Sequence, residues 1–173
     1  MKIRRAKSED AKEISAVIKS VTHYFVINAD GSGAEEFLKA IEPPAIQKLI
    51  ESEEFQYFVG LIQGQIAGVV AIREGKHLFH LFVAEIYQGK KLGQKLWDHV
   101  KQVVISTGNV GHITVNSTLF AVPIYERFGF RKTGEKVETN GIAYVPMAIH
   151  LPSRMPPSIS IDTDGFAADH LQR

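Results

Sequence analysis

Three groups of residues carry side chains whose types and spacing could do chemistry. The run Gln88-Gly89-Lys90-Lys91-Leu92-Gly93, continued by Gln94 and Lys95, sets two glycines and three lysines at the start of a helical pattern. Unpaired backbone N–H groups and the positive end of the dipole favour a phosphate at such a helix start, and the glycines let backbone approach it. Alone, the same six residues also read as a turn with a basic helix start. Tyr125 follows Pro123 in a short apolar segment and offers a phenol that stays protonated at neutral pH. His77, His80 and Glu85 supply three candidate bases, each of which could equally be a packing or solvated side chain. An offset of three should put the two histidines on opposite faces of a strand, so no shared metal site is expected.

Composition bounds the partners. The chain has 173 residues with 45% hydrophobic and 23% charged, which suits one globular domain. Twenty Lys and Arg against nineteen Asp and Glu leave a net charge of +1, too balanced for a protein that lives on nucleic acid or an anionic membrane. With no cysteine, disulfides, cysteine metal sites and a thiol nucleophile are all excluded. The longest apolar run, Ile66 to Ile72, is too short to span a bilayer, and Met1-Lys-Ile-Arg-Arg lacks the apolar stretch of a secretory signal. A cytoplasmic location is expected.

The elements that must position these residues follow from periodicity. Lys2 to Ala6 reads as a strand, and Ser8-Glu9-Asp10 starts a helix with Ile14, Val17, Ile18 and Val21 on one face. A loop over Thr22 to Gly33 leads to a second helix interrupted by Pro43-Pro44. Phe55 to Ile62, Ile66 to Arg73 and His77 to Val83 are β-rich runs separated by glycine turns. Leu92, Leu96, Val100, Val103 and Val104 then recur at helical spacing up to Thr107-Gly108. His112 to Val115 returns to strand, Pro123 to Phe128 makes a short helix capped by Gly129, and Arg131 to Val137 pairs with Ile142 to His150 around Asn140-Gly141. In the short helix Ile124 and Phe128 should face the core and Tyr125 the crevice. The strand, helix and strand of His77 to Ser117 form a right-handed parallel crossover, so Val83, the Leu92 helix start and Asn116 converge at one sheet edge.

Two of these stretches together resemble the GNAT superfamily of acyl-CoA-dependent N-acetyltransferases. Leu81-Phe82-Val83 followed by Gln88-Gly-Lys-Lys-Leu-Gly93 is similar to the family's acyl-CoA signature, with Lys91 where an inner glycine is usual. Asn116, Ala121, Tyr125 and Gly129-Phe130 are similar to its downstream pattern, with Thr118 where a second asparagine is frequent. The resemblance covers about residues 1–150. It implies an α/β GNAT fold in one domain: a mixed, mostly antiparallel sheet splayed between strands 4 and 5 and flanked by helices. Residues 151–173 read as a C-terminal tail, docked or flexible, in which Ile159, Ile161 and Phe166 offer anchors to its own domain or to a second subunit.

The resemblance further implies direct transfer of an acetyl group from acetyl-CoA to a primary amine of a small molecule or peptide. Leu81, Phe82, Val83, Gln88 to Gln94, Asn116 and Tyr125 would hold the cosubstrate, and Tyr125 would protonate the leaving thiolate. His80, His77 or Glu85 would serve as base. The acceptor would meet the Thr22 to Gly33 loop and the last hairpin, where Tyr24 and Phe25 offer an apolar wall and Glu135 and Glu138 suit a cationic amine. A homodimer is compatible with this reading, and no metal, nucleic acid or membrane partner is expected. The rival reading keeps the fold but makes the chain a non-catalytic acyl-CoA sensor or partner-binding module.

Overall fold

The computed structural model describes residues 1–108 and 111–152 of the chain. Among these residues α-helices and strands follow in the order β1 (Lys2–Arg5), α1 (Ala11–Lys19), α2 (Glu35–Ala40), α3 (Pro43–Glu51), β2 (Phe55–Ile62), β3 (Gln65–Arg73), β4 (His77–Val83), α4 (Leu92–Ser106), β5 (His112–Ser117), α5 (Val122–Phe128), β6 (Arg131–Lys132), β7 (Val137–Thr139) and β8 (Ile142–His150). The proline pair does not break a helix from within. Pro43 occupies the first turn of α3, where its missing N–H costs nothing, and α2 ends before it.

One sheet runs β1-β2-β3-β4-β5-β8-β6, with β7 also on β8. The β4–β5 pair is parallel and joins only His77 to Thr114 and Leu78 to Val115. Beyond Leu78 the two strands part, and the sheet opens into the expected splay. Helix α4 buries Leu96, Trp97, Val100 and Val104 on one face, together with Leu78, Ile113, Val115 and Tyr125. On the other face α1 and α3 pack Ile14, Ile18 and Ile46 against Tyr57, Val59 and Val69. The sheet therefore has a core on each side.

Two expectations change. The register between β3 and β4 slips at Ala71/Ile72, so His80 faces Ala71, Leu78 faces Ile72, and Phe79 is an extra, bulged residue. Leu78 packs with the α4 core, whereas Phe79 and Phe82 pack with the other. The bulge reverses the alternation, and His77, bonded to the outward Thr114, lies on the same face as His80 rather than opposite to it. The Arg131 to Val137 run is two short strands, not one. Thr133 donates to the Pro146 carbonyl, and Pro146, having no N–H, cannot return the bond, so the ladder along β8 breaks between β6 and β7. The last hairpin closes as expected through Asn140 and Gly141, at φ 48° and 71°.

Among the described residues no helix is long and apolar enough to cross a membrane. The expected anchoring of the tail concerns residues that lie, from 153 onward, outside the described residues.

Candidate active site

The splay creates a cavity of about 650 Å³ that passes from one face of the sheet to the other. Ala84 donates to the Ala67 carbonyl, so by strand alternation Leu81 and Val83 turn their backbone groups away from β3 and into the gap. The Val83 carbonyl is already taken by the Gln88 side-chain amide at 3.2 Å, which holds the following loop against the strand end. The remaining N–H and C=O groups of this edge are open to an extended ligand.

At the α4 end of the cavity stands the loop Gln88 to Gly93. Gly89 adopts φ 76° and Lys91 φ 59°, a left-handed conformation that glycine tolerates and lysine adopts at a cost. Leu92 is buried and pins the first turn, while a Cβ at Gly89 would meet nothing and one at Gly93 only Val83 at 3.9 Å. The donors of this turn are therefore uncovered, and Lys90 and Lys91 flank them. Gln94 lines the cavity but spends its amide on Asp98 within the helix.

Tyr125 reaches the cavity from α5. Contrary to the expected rotation, Val122 and Tyr125 are the buried residues of this helix, and Ile124 and Phe128 line the opening beside them. The ring of Tyr125 stacks edge-on against Phe128 and Phe130. Its hydroxyl has no hydrogen-bond partner among the described residues, and burial raises its pKa above the ordinary phenol value. It is held as a neutral donor facing the gap.

The three candidate bases lie elsewhere. His80 is buried behind Phe79 and Phe82, with Nδ1 3.1 Å from the Tyr57 hydroxyl, and burial lowers its pKa to about 3. His77 bonds Thr114 at 2.7 Å, and its pKa too is lowered by burial. Glu85 lies at the surface 3.8 Å from His23. None of the three is on the cavity wall. Asn116 also stays outside: β5 runs on to Ser117, and Asn116 sits in its ladder opposite Pro146 with its side chain exposed on the face away from α4.

The acceptor loops meet each other. Ile27 donates to the Gly141 carbonyl and Ala143 to Phe25, which ties the loop after α1 to the β7–β8 turn. Tyr24 and Phe25 line the cavity, whereas Glu135 and Glu138 are exposed outside it and Glu138 pairs with Lys136. Sequence reasoning missed Phe120, whose ring stacks on Tyr24 at 4.2 Å, and Arg127, which shares the lining. An exposed aromatic just ahead of a helix start was the available signal for the first.

The chain belongs to the GNAT acetyltransferase family: it matches the Acetyltransferase (GNAT) domain over residues 25–151. No curated protein matches it in sequence. Among solved structures it is similar to a GCN5-related N-acetyltransferase from Rhodopseudomonas palustris, at 19% identity over 87% of this chain and 95% of that one, with a TM-score of 0.71. It is likewise similar to the PaiA N-acetyltransferase of Thermoplasma acidophilum in complex with coenzyme A, at 14% identity over 87% and 98%, TM-score 0.70. The ribosomal-protein-S18-alanine N-acetyltransferase of Escherichia coli shares the fold at 17% identity over 91% and 97%, TM-score 0.62.

Proposed function

We propose that this acyltransferase moves an acetyl group from acetyl-CoA directly to an amine. The observation that carries the reading is a single cavity that joins the left-handed loop at the α4 N-terminus to the Tyr125 hydroxyl and continues to a second, aromatic end. The pyrophosphate would rest on backbone N–H groups of Gly89 to Gly93, where helix dipole and lysines act together. The pantetheine arm would follow the open edge of β4 as an added strand. Attack by the amine then needs a neutral nitrogen, stabilisation of the oxyanion and a proton for sulfur. Edge N–H groups of β4 suit the second requirement and Tyr125 the third. No cysteine is present to carry the acyl group, which supports a one-step transfer.

Isothermal calorimetry with acetyl-CoA, followed by thiol release over a panel of amines, tests the reading. Gly93→Glu places bulk and negative charge at the proposed phosphate site and should abolish binding; unchanged affinity would remove the placement. The sensor reading draws on the absence of a base from the cavity wall among the described residues. Tight binding without thiol release from any amine would favour it.

A further inference from the structure

The walls of the cavity differ at its two ends. Where α5 and the Gln88 to Gly93 loop face it, the wall carries Lys91 and Arg127. Where the loop after α1 faces it, the wall is Val21, Tyr24, Phe25, Phe79, Phe82 and Phe120. Two ring pairs build this wall: Tyr24 lies nearly parallel on Phe120, with an interplanar angle of 17°, and the Phe25 and Phe82 centroids are 5.8 Å apart. The bulge at Phe79 adds one more ring to this side, since a regular strand would have turned it to the opposite face. Phe120 remains 52% exposed, so the stack presents a free ring face at the opening.

Charge is as informative as shape. No described carboxylate lines the cavity; the titratable groups on its wall are Tyr24, Tyr87, Tyr125, Lys91 and Arg127. Glu85 stands outside with His23, Glu135 and Glu138 are outside, and His77 and His80 are engaged elsewhere. An ammonium ion drawn into this end would shed hydration against aromatic rings, with no described carboxylate on the wall to pair with it. Among the described residues no imidazole or carboxylate lines the wall to take its proton; His23, packed on Tyr24 and paired with Glu85, lies outside it.

Resting on the acetyl-transfer reading, we infer that the acceptor is a flat aromatic compound bearing a weakly basic amino group, uncharged at neutral pH, and not a polycationic amine. Its ring extends the aromatic lining at Tyr24 and Phe120, and its nitrogen points through the splay toward Tyr125. Such an amine arrives already deprotonated, which removes the need for the base that the wall lacks. The nitrogen lone pair forms the C–N bond, and the C–S bond breaks with its electron pair on sulfur. Sulfur takes the Tyr125 proton. The nitrogen of the tetrahedral adduct, now strongly acidic, releases a proton to water, and Tyr125 recovers one from solvent, so the step balances.

The test compares p-anisidine, phenethylamine and spermidine as acceptors with the full-length protein and acetyl-CoA, reading thiol release. The expected order places p-anisidine first, at least about tenfold above spermidine in kcat/KM, with little change over roughly pH 6 to 9. Phenethylamine, which shares the ring but is protonated, should rise with pH as its neutral fraction grows. Phe120→Ala should raise KM for p-anisidine about tenfold, as the loss of a stacking partner predicts. A preference for spermidine, or no turnover of p-anisidine although calorimetry records acetyl-CoA binding, overturns this inference and leaves the cosubstrate placement standing. Failure of acetyl-CoA to bind overturns the underlying reading, and this one with it.

Discussion

Gly141 presses against Gly33 so closely that a Cβ at residue 141 would lie 2.3 Å from the Gly33 carbonyl carbon and 2.4 Å from the Ala34 nitrogen. This contact, with the Ile27 to Gly141 hydrogen bond, seats the last hairpin under the loop after α1. The aromatic end of the cavity is therefore held by two chain segments more than a hundred residues apart. Gly141→Ala should lower stability by about 3 kcal/mol or more, because backbone must shift on top of the strain at φ 71°. Gly64→Ala is the control. It shares a positive φ of 81° but its Cβ would meet nothing, so its cost should be only about 1 kcal/mol. Equal urea midpoints for the two variants would show that the contact contributes nothing.

Lys91 is the residue at which this chain departs from the family signature, and it sits at φ 59° at the N-terminal boundary of α4. Lys91→Gly should leave stability unchanged or raise it by up to about 1 kcal/mol, since relief of left-handed strain is offset by glycine's extra freedom in the unfolded chain. Lys91→Val should cost about 1 to 2 kcal/mol, because a β-branched side chain tolerates this conformation worst. A thermal melt that ranks valine above glycine would contradict the loop geometry.

Local pattern made most elements legible: α1, α4, α5 and the long strands were readable from apolar spacing and the Asn140-Gly141 turn from its dipeptide, whereas α2 and α3 read as one interrupted helix. The glycine-containing loop that enters α4 was equally readable, because glycines and lysines at a helix start are a local signal. What escaped was set by register. The Phe79 bulge depends on how β4 aligns with β3, and no residue in His77 to Val83 announces it. Its consequences are large, since it puts His77 and His80 on one face and adds a ring to the cavity. Asn116 lies off the cavity wall for a similar reason: the strand continues two residues past the expected end, and pairing with β8 fixes which side chains turn outward. The broken ladder at Pro146 was visible in principle, as a proline inside a strand with neighbours on both sides.

His80 makes stability depend on pH in a definite direction. In the folded chain burial holds its pKa at about 3, whereas in the unfolded chain it returns to the ordinary value near 6.5. Between these values the unfolded state binds a proton that the native state does not, so stability falls as pH falls below about 6.5, by up to about 1.4 kcal/mol per pH unit. His77 and His99, also lowered by burial, contribute with the same sign. The variant comparison isolates His80: His80→Asn keeps an acceptor for Tyr57 but does not titrate. It should be less stable at pH 7 because of the void, yet flatter between roughly pH 4.5 and 6.5. Parallel curves for parent and variant in urea titrations would mean that His80 titrates alike in both states.

The Tyr125 hydroxyl faces the gap without a partner among the described residues, so removing it should perturb the reaction more than the fold. Tyr125→Phe keeps the ring contacts to Phe128 and Phe130 and leaves no buried polar group unpaired. Thermal stability should therefore change little. Turnover should fall by roughly 10² to 10⁴, about 3 to 5 kcal/mol of barrier, if the phenol protonates the departing sulfur. Burial holds the phenol above its ordinary pKa of 10.0, higher than that of a thiol such as cysteine at about 8.5, so complete transfer from Tyr125 to a free thiolate is uphill. The hydroxyl is of use while the C–S bond is breaking, and solvent must restore its proton afterwards. A donor with so high a pKa should give no acidic or neutral inflection in kcat, and the loss in the variant should be constant over roughly pH 6 to 9. Single-turnover transfer to an amine that the parent acetylates decides the matter. Equal rates for parent and Tyr125→Phe would exclude the hydroxyl from the chemical step without touching the placement of acetyl-CoA.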